Sequence, residues 1–353
     1  MSRDRVGVAL IGAGFIAQYH LAGLAAAGGA DVRLIAGRSA DKTARLARQF
    51  GIADVTGDWR HVLDRSDIDA VVIATPDHTH ETIAVAAADA GKAVLLQKPM
   101  AGSVAACQRI IAAARAAGVD LQVSFMHRYF EEVEWARKGL ADGLIGRVHS
   151  LRVRNATPGP DWGDWFFDGA KVANGVVDQL GVHGIDLAVR LIGPISDVSA
   201  RVATLLAQRR LSDGRIVPVC APDTAFATYG FEAGAVGAHE MSMIEQQGCD
   251  RFRIEIYGED GTLWLRTERG RLAVWAPGRF GRHWHVPELE DAPLGRRQHA
   301  EWLAGLTGAA PVAPTADDAL AGMRVVEAIR RSAGHGGCRV LVDDDGSTLG
   351  DHR

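Results

Sequence analysis

Cysteine is scarce in this chain of 353 residues: there are four, Cys107, Cys220, Cys249 and Cys338, widely scattered and without a CxxC pair. That argues against a disulfide scaffold and fits a reducing, cytoplasmic compartment. An excess of charge of either sign is also lacking. The 39 Lys and Arg nearly balance the 43 Asp and Glu, for a formal net charge of −4, so no polybasic surface is implied and no nucleic-acid partner is expected. No apolar run approaches the length of a bilayer span, and no basic segment leads into a signal-peptide core, so no membrane attachment is expected. No internal repeat and no Ser-His-Asp motif are visible. Asp77, His78 and His80 cluster, as do His283 and His285, but neither group has a zinc spacing, and no metal is expected.

What is present begins at Val6–Ala17, VGVALIGAGFIA. A short apolar run ends in Gly12, Gly14, Phe15, Ile16 and Ala17, and helix formers follow. This suits a buried first strand, a tight turn and a helix whose N-terminus receives a pyrophosphate, although glycines also serve ordinary turns. Strand and helix signals then alternate. Val32–Ala36 and Ala70–Ala74 read as strands, the latter a β-branched run typical of a parallel strand covered on both faces. Lys42–Phe50 reads as a helix stopped by Gly51, His80–Ala90 as another, and Ser103–Ala117 as a third with Ser103 as its cap. Ala93–Leu96 and Asp120–Ser124 complete a doubly wound parallel sheet, placed at residues 1–124.

From residue 125 the character changes. Phe130–Leu140 and Gly175–Leu191 read as helices, as do Arg297–Leu306 and Thr315–Arg331. Val148–Val153 and the segments from Val198 to Trp275 have the period of strands. A largely antiparallel, open-faced mixed sheet with helices on one face is expected over residues 125–342, followed by a polar tail at 343–353.

Ligands of a parallel sheet gather at the carboxyl ends of its strands. Gly12–Ala17, Gly37–Ser39, Thr75–His80 and Gln97–Pro99 fall on that rim. Thr75, Pro76, Asp77 and His80 are therefore cofactor-side candidates, with Gln97 beside them. Lys98, at an apolar strand end before a proline, can donate to a substrate oxygen; a solvent-facing lysine is the bland alternative. The second strand ends in Gly37, Arg38 and Ser39 without the acid that selects NAD. A guanidinium and a hydroxyl suit a 2′-phosphate, so NADP is expected, with NAD as second choice; Arg38 facing solvent or stacking on adenine is the other reading. His183 and Asp186, three apart, share a helix face, which fits a proton carrier with its acid and fits a structural histidine equally. His127 and Arg128 are substrate-side candidates. Trp162 and Trp165, in a loop among three aspartates, suit either a sugar-stacking lid or loop packing.

Taken together, GAGFIA at 12–17, ATPDHTH at 74–80, AGKAVLLQKP at 90–99, LGVHGIDLA at 180–188 and IYGEDGTLWL at 256–265 resemble the glucose–fructose oxidoreductase, inositol dehydrogenase and MocA family over essentially the whole chain. The resemblance implies a Rossmann domain followed by an open-faced sheet, with nicotinamide and substrate between them. It also implies hydride transfer at a hydroxyl or carbonyl carbon of a sugar or polyol. By that likeness Lys98 is the lysine of the EKP motif and His183 the catalytic histidine, and both also face substrate. Three departures stand out. The usual glutamate before the lysine is Gln97. The aspartate often found four residues before the histidine is Gln179, with Asp178 one place earlier. The approach to that helix is Ala173-Asn174-Gly175 rather than a glycine run. A helix shift would bring Asp178 into the site in place of Gln179. A non-catalytic regulatory protein and a dehydrogenase of a hydrophobic cyclic diol are the competing functions. A homodimer or homotetramer through the open sheet is expected.

Overall fold

The computed structural model describes residues 5–246, 251–266, 271–311, 313 and 315–343. Cys249 and the polar tail beyond Asp343 lie outside the described residues. The chain divides into two compact units, Met1–Tyr129 with Asp291–Leu320, and Phe130–Glu290 with Ala321–Arg353.

In the first unit β1 (Val6–Ile11), α1 (Ala17–Ala27), β2 (Ala30–Ala36), α2 (Ala40–Phe50), β3 (Asp54–Thr56), α3 (Arg60–Leu63), β4 (Ala70–Ile73), α4 (His80–Asp89), β5 (Ala93–Gln97), α5 (Val104–Ala117) and β6 (Leu121–Ser124) follow in turn. The strands pair in parallel in the order β3-β2-β1-β4-β5-β6, the doubly wound order of dinucleotide-binding sheets. Val71, Val72 and Ile73 have no exposed surface, as a strand covered on both faces requires. The expected punctuation holds. Gly51 closes α2 in the left-handed conformation at φ 67°, and the Ser103 hydroxyl accepts from the Ala106 amide at 3.2 Å.

In the second unit α6 (Glu131–Ala141) and β7 (Val148–Ala156) precede α7 (Val182–Ile192). Then come β8 (Ile195–Ala203), β9 (Gln208–Arg210), β10 (Ile216–Pro218), β11 (Thr224–Phe231), β12 (Val236–Ser242), β13 (Phe252–Gly258), β14 (Thr262–Arg266) and β15 (Arg271–Trp275). The eight-stranded sheet runs β15-β14-β13-β7-β12-β11-β8-β16, with β16 at Val340–Leu341. It is antiparallel except where β12 meets β7, the mixed sheet expected. Burial alternates along β11, so one face is packed and the other presents Phe226, Thr228, Glu240 and Arg154. The short helix α8 (Pro277–Phe280) follows the sheet. Of the two later helices, α9 (Arg296–Leu306) lies in a segment that belongs to the first unit and packs on α1, and α10 spans Thr315–Gly334.

One helix departs from expectation. Gly175–Leu191 is not a single α-helix: Val177–Gly181 forms a π turn, and regular α-helix begins at Val182. Among the described residues, no helix is long and apolar enough to cross a membrane, and no three His, Cys, Asp or Glu side chains gather to hold a metal ion.

Candidate active site

The first unit carries the strand-end rim. Gly12 adopts φ 111°, and a Cβ there would collide with the carbonyl of Ala74; only glycine lets the turn after β1 close over the end of β4. Gly14 is different: a Cβ there would meet no protein atom. Its lack of a side chain serves no internal contact and leaves room for a ligand against the backbone. The N-terminus of α1 has no side-chain cap and no acid in its first turn, so its amides are open to an anion. Ile16 is the residue at that cap position, and Phe15 beside it is 77% exposed. These features fit the pyrophosphate of a dinucleotide.

At the end of β4 the loop is tied down from within. The Thr79 hydroxyl lies 2.8 Å from that of Thr75 and donates to the Pro76 carbonyl at 2.7 Å. His80 is buried, its ring nitrogens each 2.9 Å from a carbonyl oxygen, that of Thr75 on one side and of Pro99 on the other. It braces the β4 loop against the β5 loop. Burial holds its pKa below the ordinary histidine value, against the pull of Asp77. The Asp77 carboxylate accepts from the His78 amide at 3.0 Å.

Lys98, half-buried, follows Gln97 at the end of β5. The Gln97 side-chain oxygen accepts from the Lys98 amide at 2.7 Å. The structure brings His127 to the same rim. Its imidazole is depressed to about 3, first by burial and then by the charge of Lys98. The Arg128 guanidinium pairs with Asp318 at 2.6 Å and lies 5.1 Å from the Phe125 ring.

The second unit carries the other candidates. Asp178, Gln179, His183 and Asp186 are all buried, Asp178 to 1% exposure. In a regular helix the residue four before His183 is Gln179. A π turn has i→i+5 periodicity, so between Val177 and Gly181 the matching position moves back by one residue, to Asp178. Asp178 thus stands five residues before His183, the spacing of that turn, and Asp186 three residues after it. The helix behind is held at the sheet: Gly184 lies against Asn155, Val153 and His239. His239 donates from Nε2 to the Asn155 side-chain oxygen at 2.7 Å and accepts at Nδ1 from the Tyr229 hydroxyl at 2.8 Å. Burial pushes His239 down to about 3.

The aromatic loop is largely packing. Phe166 and Phe167 join Leu211 and Val219 in a small core under β9 and β10, and Trp165 stacks on Phe166 with centroids 3.7 Å apart. Trp162 remains half exposed, its ring edge-on to Phe166 at 4.8 Å.

Sequence reasoning missed the buried pair His20 and His299, whose rings meet at 3.0 Å across 279 positions of chain. A histidine among the apolar residues of α1 was the only local sign. It also missed the buried carboxyl of Glu132, which burial raises to about 7.

Comparison with known proteins follows the same division. The model of the oxidoreductase family with an NAD-binding Rossmann fold matches residues 6–125, and that of the GFO/IDH/MocA C-terminal domain matches residues 133–264. Levoglucosan dehydrogenase of Pseudarthrobacter phenanthrenivorans is 31% identical over 294 residues, 75% of each chain. Inositol 2-dehydrogenase 2 of Saccharopolyspora erythraea is 31% identical over 338 residues, 93% of each chain. The solved structure of levoglucosan dehydrogenase with NADH and L-sorbose superposes with a TM-score of 0.87 at 26% identity, covering 96% of this chain and 99% of that one.

These findings correct the expectation of NADP. The matching family domain is NAD-binding. The residue on which the expectation rests, Arg38, is exposed just after β2. Absence of an acid after β2 was an insufficient ground. The protein is an NAD(P)-dependent dehydrogenase or reductase, and the chain belongs to the GFO/IDH/MocA family of oxidoreductases.

Proposed function

We propose that this enzyme oxidises a ring hydroxyl of a sugar or cyclic polyol with NAD. The observation that carries the reading is the π turn at Val177–Gly181, whose five-residue spacing supports Asp178, rather than Gln179, as the partner of His183. Relatives named as levoglucosan, inositol and D-apiose dehydrogenases support a compact polyhydroxylated substrate. In this reading Gly12, Gly14 and the first turn of α1 hold the pyrophosphate, and Thr75–Asp77 with Gln97 border the nicotinamide end. Nicotinamide supplies the hydride acceptor.

His183 takes the hydroxyl proton, and Asp178 stabilises the imidazolium that forms. The Lys98 ammonium hydrogen-bonds the reacting oxygen and steadies the negative charge developing there. Carbonyl reduction runs the same steps backward, with His183 as the acid. His127, kept neutral by burial and by Lys98, is suited to hydrogen-bond a second hydroxyl without competing for the proton. Trp162 offers a stacking face to the substrate's ring.

Residues 1–124 form the cofactor part in this reading and the later residues the substrate part. A dimer or tetramer through the open sheet is supported by Phe226 at 56% and Val236 at 59% exposure among arginines and glutamates of both signs. The free, exposed thiols Cys220 and Cys338 support a reducing compartment.

The test is nicotinamide absorbance with NAD across a panel of inositols, anhydrosugars and aldoses, in both directions. Turnover on a member of the panel that collapses in both Lys98→Ala and His183→Ala is the expected result. Bound NAD with silence across the panel, or turnover indifferent to both variants, would overturn the reading.

A further inference from the structure

Four side-chain and backbone groups of the first unit form a hydrogen-bond chain that ends at Lys98. The carbonyl of Gly295 faces Nδ1 of His299 at 2.7 Å. Nε2 of His299 faces Nδ1 of His20 at 3.0 Å. Nε2 of His20 faces the side-chain nitrogen of Gln97 at 3.3 Å, and the side-chain oxygen of Gln97 accepts from the Lys98 amide at 2.7 Å. His20 and His299 have no exposed surface, and Gln97 is 7% exposed.

Only one arrangement of protons satisfies every link. A carbonyl only accepts, so His299 carries its proton on Nδ1. Burial holds His299 neutral, down to about 4, so its Nε2 is a bare lone pair and Nδ1 of His20 must donate. His20, pushed well below the ordinary histidine range by burial and then by His299, is neutral as well, which leaves its Nε2 an acceptor. The group opposite must therefore be a donor. At the other end the Lys98 amide needs an acceptor. A glutamine answers both demands at once; a glutamate would set an acceptor against an acceptor.

A second chain fixes the helix that carries His299. The Tyr19 hydroxyl donates to Gln298 at 2.6 Å, and Gln298 donates to the Ser124 hydroxyl at 2.9 Å. The titratable groups around the pair are Tyr19 beside it on α1, with Tyr129 acting on the Tyr19 phenol, and Lys98 next to Gln97.

We infer that Gln97 is a positioning residue, the neutral link through which the buried His20–His299 pair fixes the backbone at Lys98. The inference rests on the reading of Lys98 as the group that meets the substrate oxygen. The two histidines present an acceptor, and the residue at 97 answers it.

The experiment is nitrogen NMR of the histidine rings in the full-length protein, paired with steady-state kinetics. In the wild type both His20 and His299 should be neutral with the proton on Nδ1 from about pH 6 to about pH 9. In Gln97→Glu, His20 should take up a second proton and appear as imidazolium, and kcat should acquire a new ionisation as that proton is lost. Gln97→Leu should lower kcat about tenfold, the size of one lost hydrogen bond, with less change in the KM for NAD. A wild-type His20 protonated on Nε2, or a Gln97→Glu protein with both rings neutral, overturns the hydrogen-bond chain. Unchanged kcat in Gln97→Leu overturns the positioning role. Full activity of Lys98→Ala overturns the reading beneath it, and the ring protonation, which needs no turnover, tells these failures apart.

Discussion

Replacing Asp178 by asparagine keeps the volume of a side chain that is 1% exposed and removes only its charge. Both Asp178 and His183 are out of water, so solvent screening does little to weaken their interaction. At an effective dielectric near 20, opposite unit charges within a few ångströms of each other attract by about 3–4 kcal/mol, which is roughly two orders of magnitude in rate. In the proposed reaction the imidazolium exists only once the hydroxyl proton has moved, so the loss should fall on kcat more than on KM. Gln179→Ala, one position away, should cost only a few-fold. Deleting Gln179 removes the extra residue of the π turn and restores the four-residue spacing between Asp178 and His183, so that variant should keep far more activity than Asp178→Asn. Steady-state rates of the three variants on one substrate, with circular dichroism to verify folding, decide the matter. Asp178→Asn within twofold of wild type, with Gln179→Ala severely impaired, would refute the π-turn argument.

Other outcomes follow from burial. His127, His239 and His299 sit at about 3, 3 and 4 against an unperturbed 6.5, so the unfolded chain binds protons that the folded one refuses. Stability should fall as pH drops below the unfolded value, by about 1.4 kcal/mol per pH unit for each histidine. Denaturant melts between neutral pH and mild acid measure the slope, and a flat profile would contradict it. Glu132 has the opposite sign: its folded value of about 7 lies above the unfolded 4.5, so stability present below the unfolded value is lost as pH rises toward the folded one. Glu132→Gln should therefore raise stability at mildly alkaline pH by roughly 2–3 kcal/mol and leave it unchanged in acid; equal melts at both pH values would refute this. Gly12→Ala, forced to φ 111° and onto the Ala74 carbonyl, should lower stability by about 2 kcal/mol or more and weaken NAD binding, as calorimetry with and without NAD would reveal.

What the chain reveals before folding is what local physics decides. The buried run of β1, the turn at Gly12, the Ser103 cap and the glycine stop at Gly51 each follow from a few neighbouring residues, and the alternation along β11 and β12 announces a half-buried sheet. Strands of three residues, β3, β9 and β10, are too short to show a period. The π turn was invisible for a related reason. Whether a helix takes up one extra residue depends on what its faces must meet, and the motif alone showed only a carboxylate one position out of place. The His20–His299 pair depends on α9 returning to α1, a contact across most of the chain, and no window of sequence contains both rings. Arg38 is a poor guide to cofactor because an exposed strand-end side chain is not placed by its neighbours in sequence.

In the proposed reaction hydride passes from a ring carbon of a polyol to NAD while His183 takes the hydroxyl proton. The direct measurement uses the panel substrate that turns over, deuterated at its ring carbons, and follows NADH by absorbance and mass spectrometry. Expected are deuterium in the NADH, a slower rate than with the unlabelled substrate, and loss of both signals in His183→Ala. NADH formed without deuterium, or label transfer undiminished in His183→Ala, would contradict it.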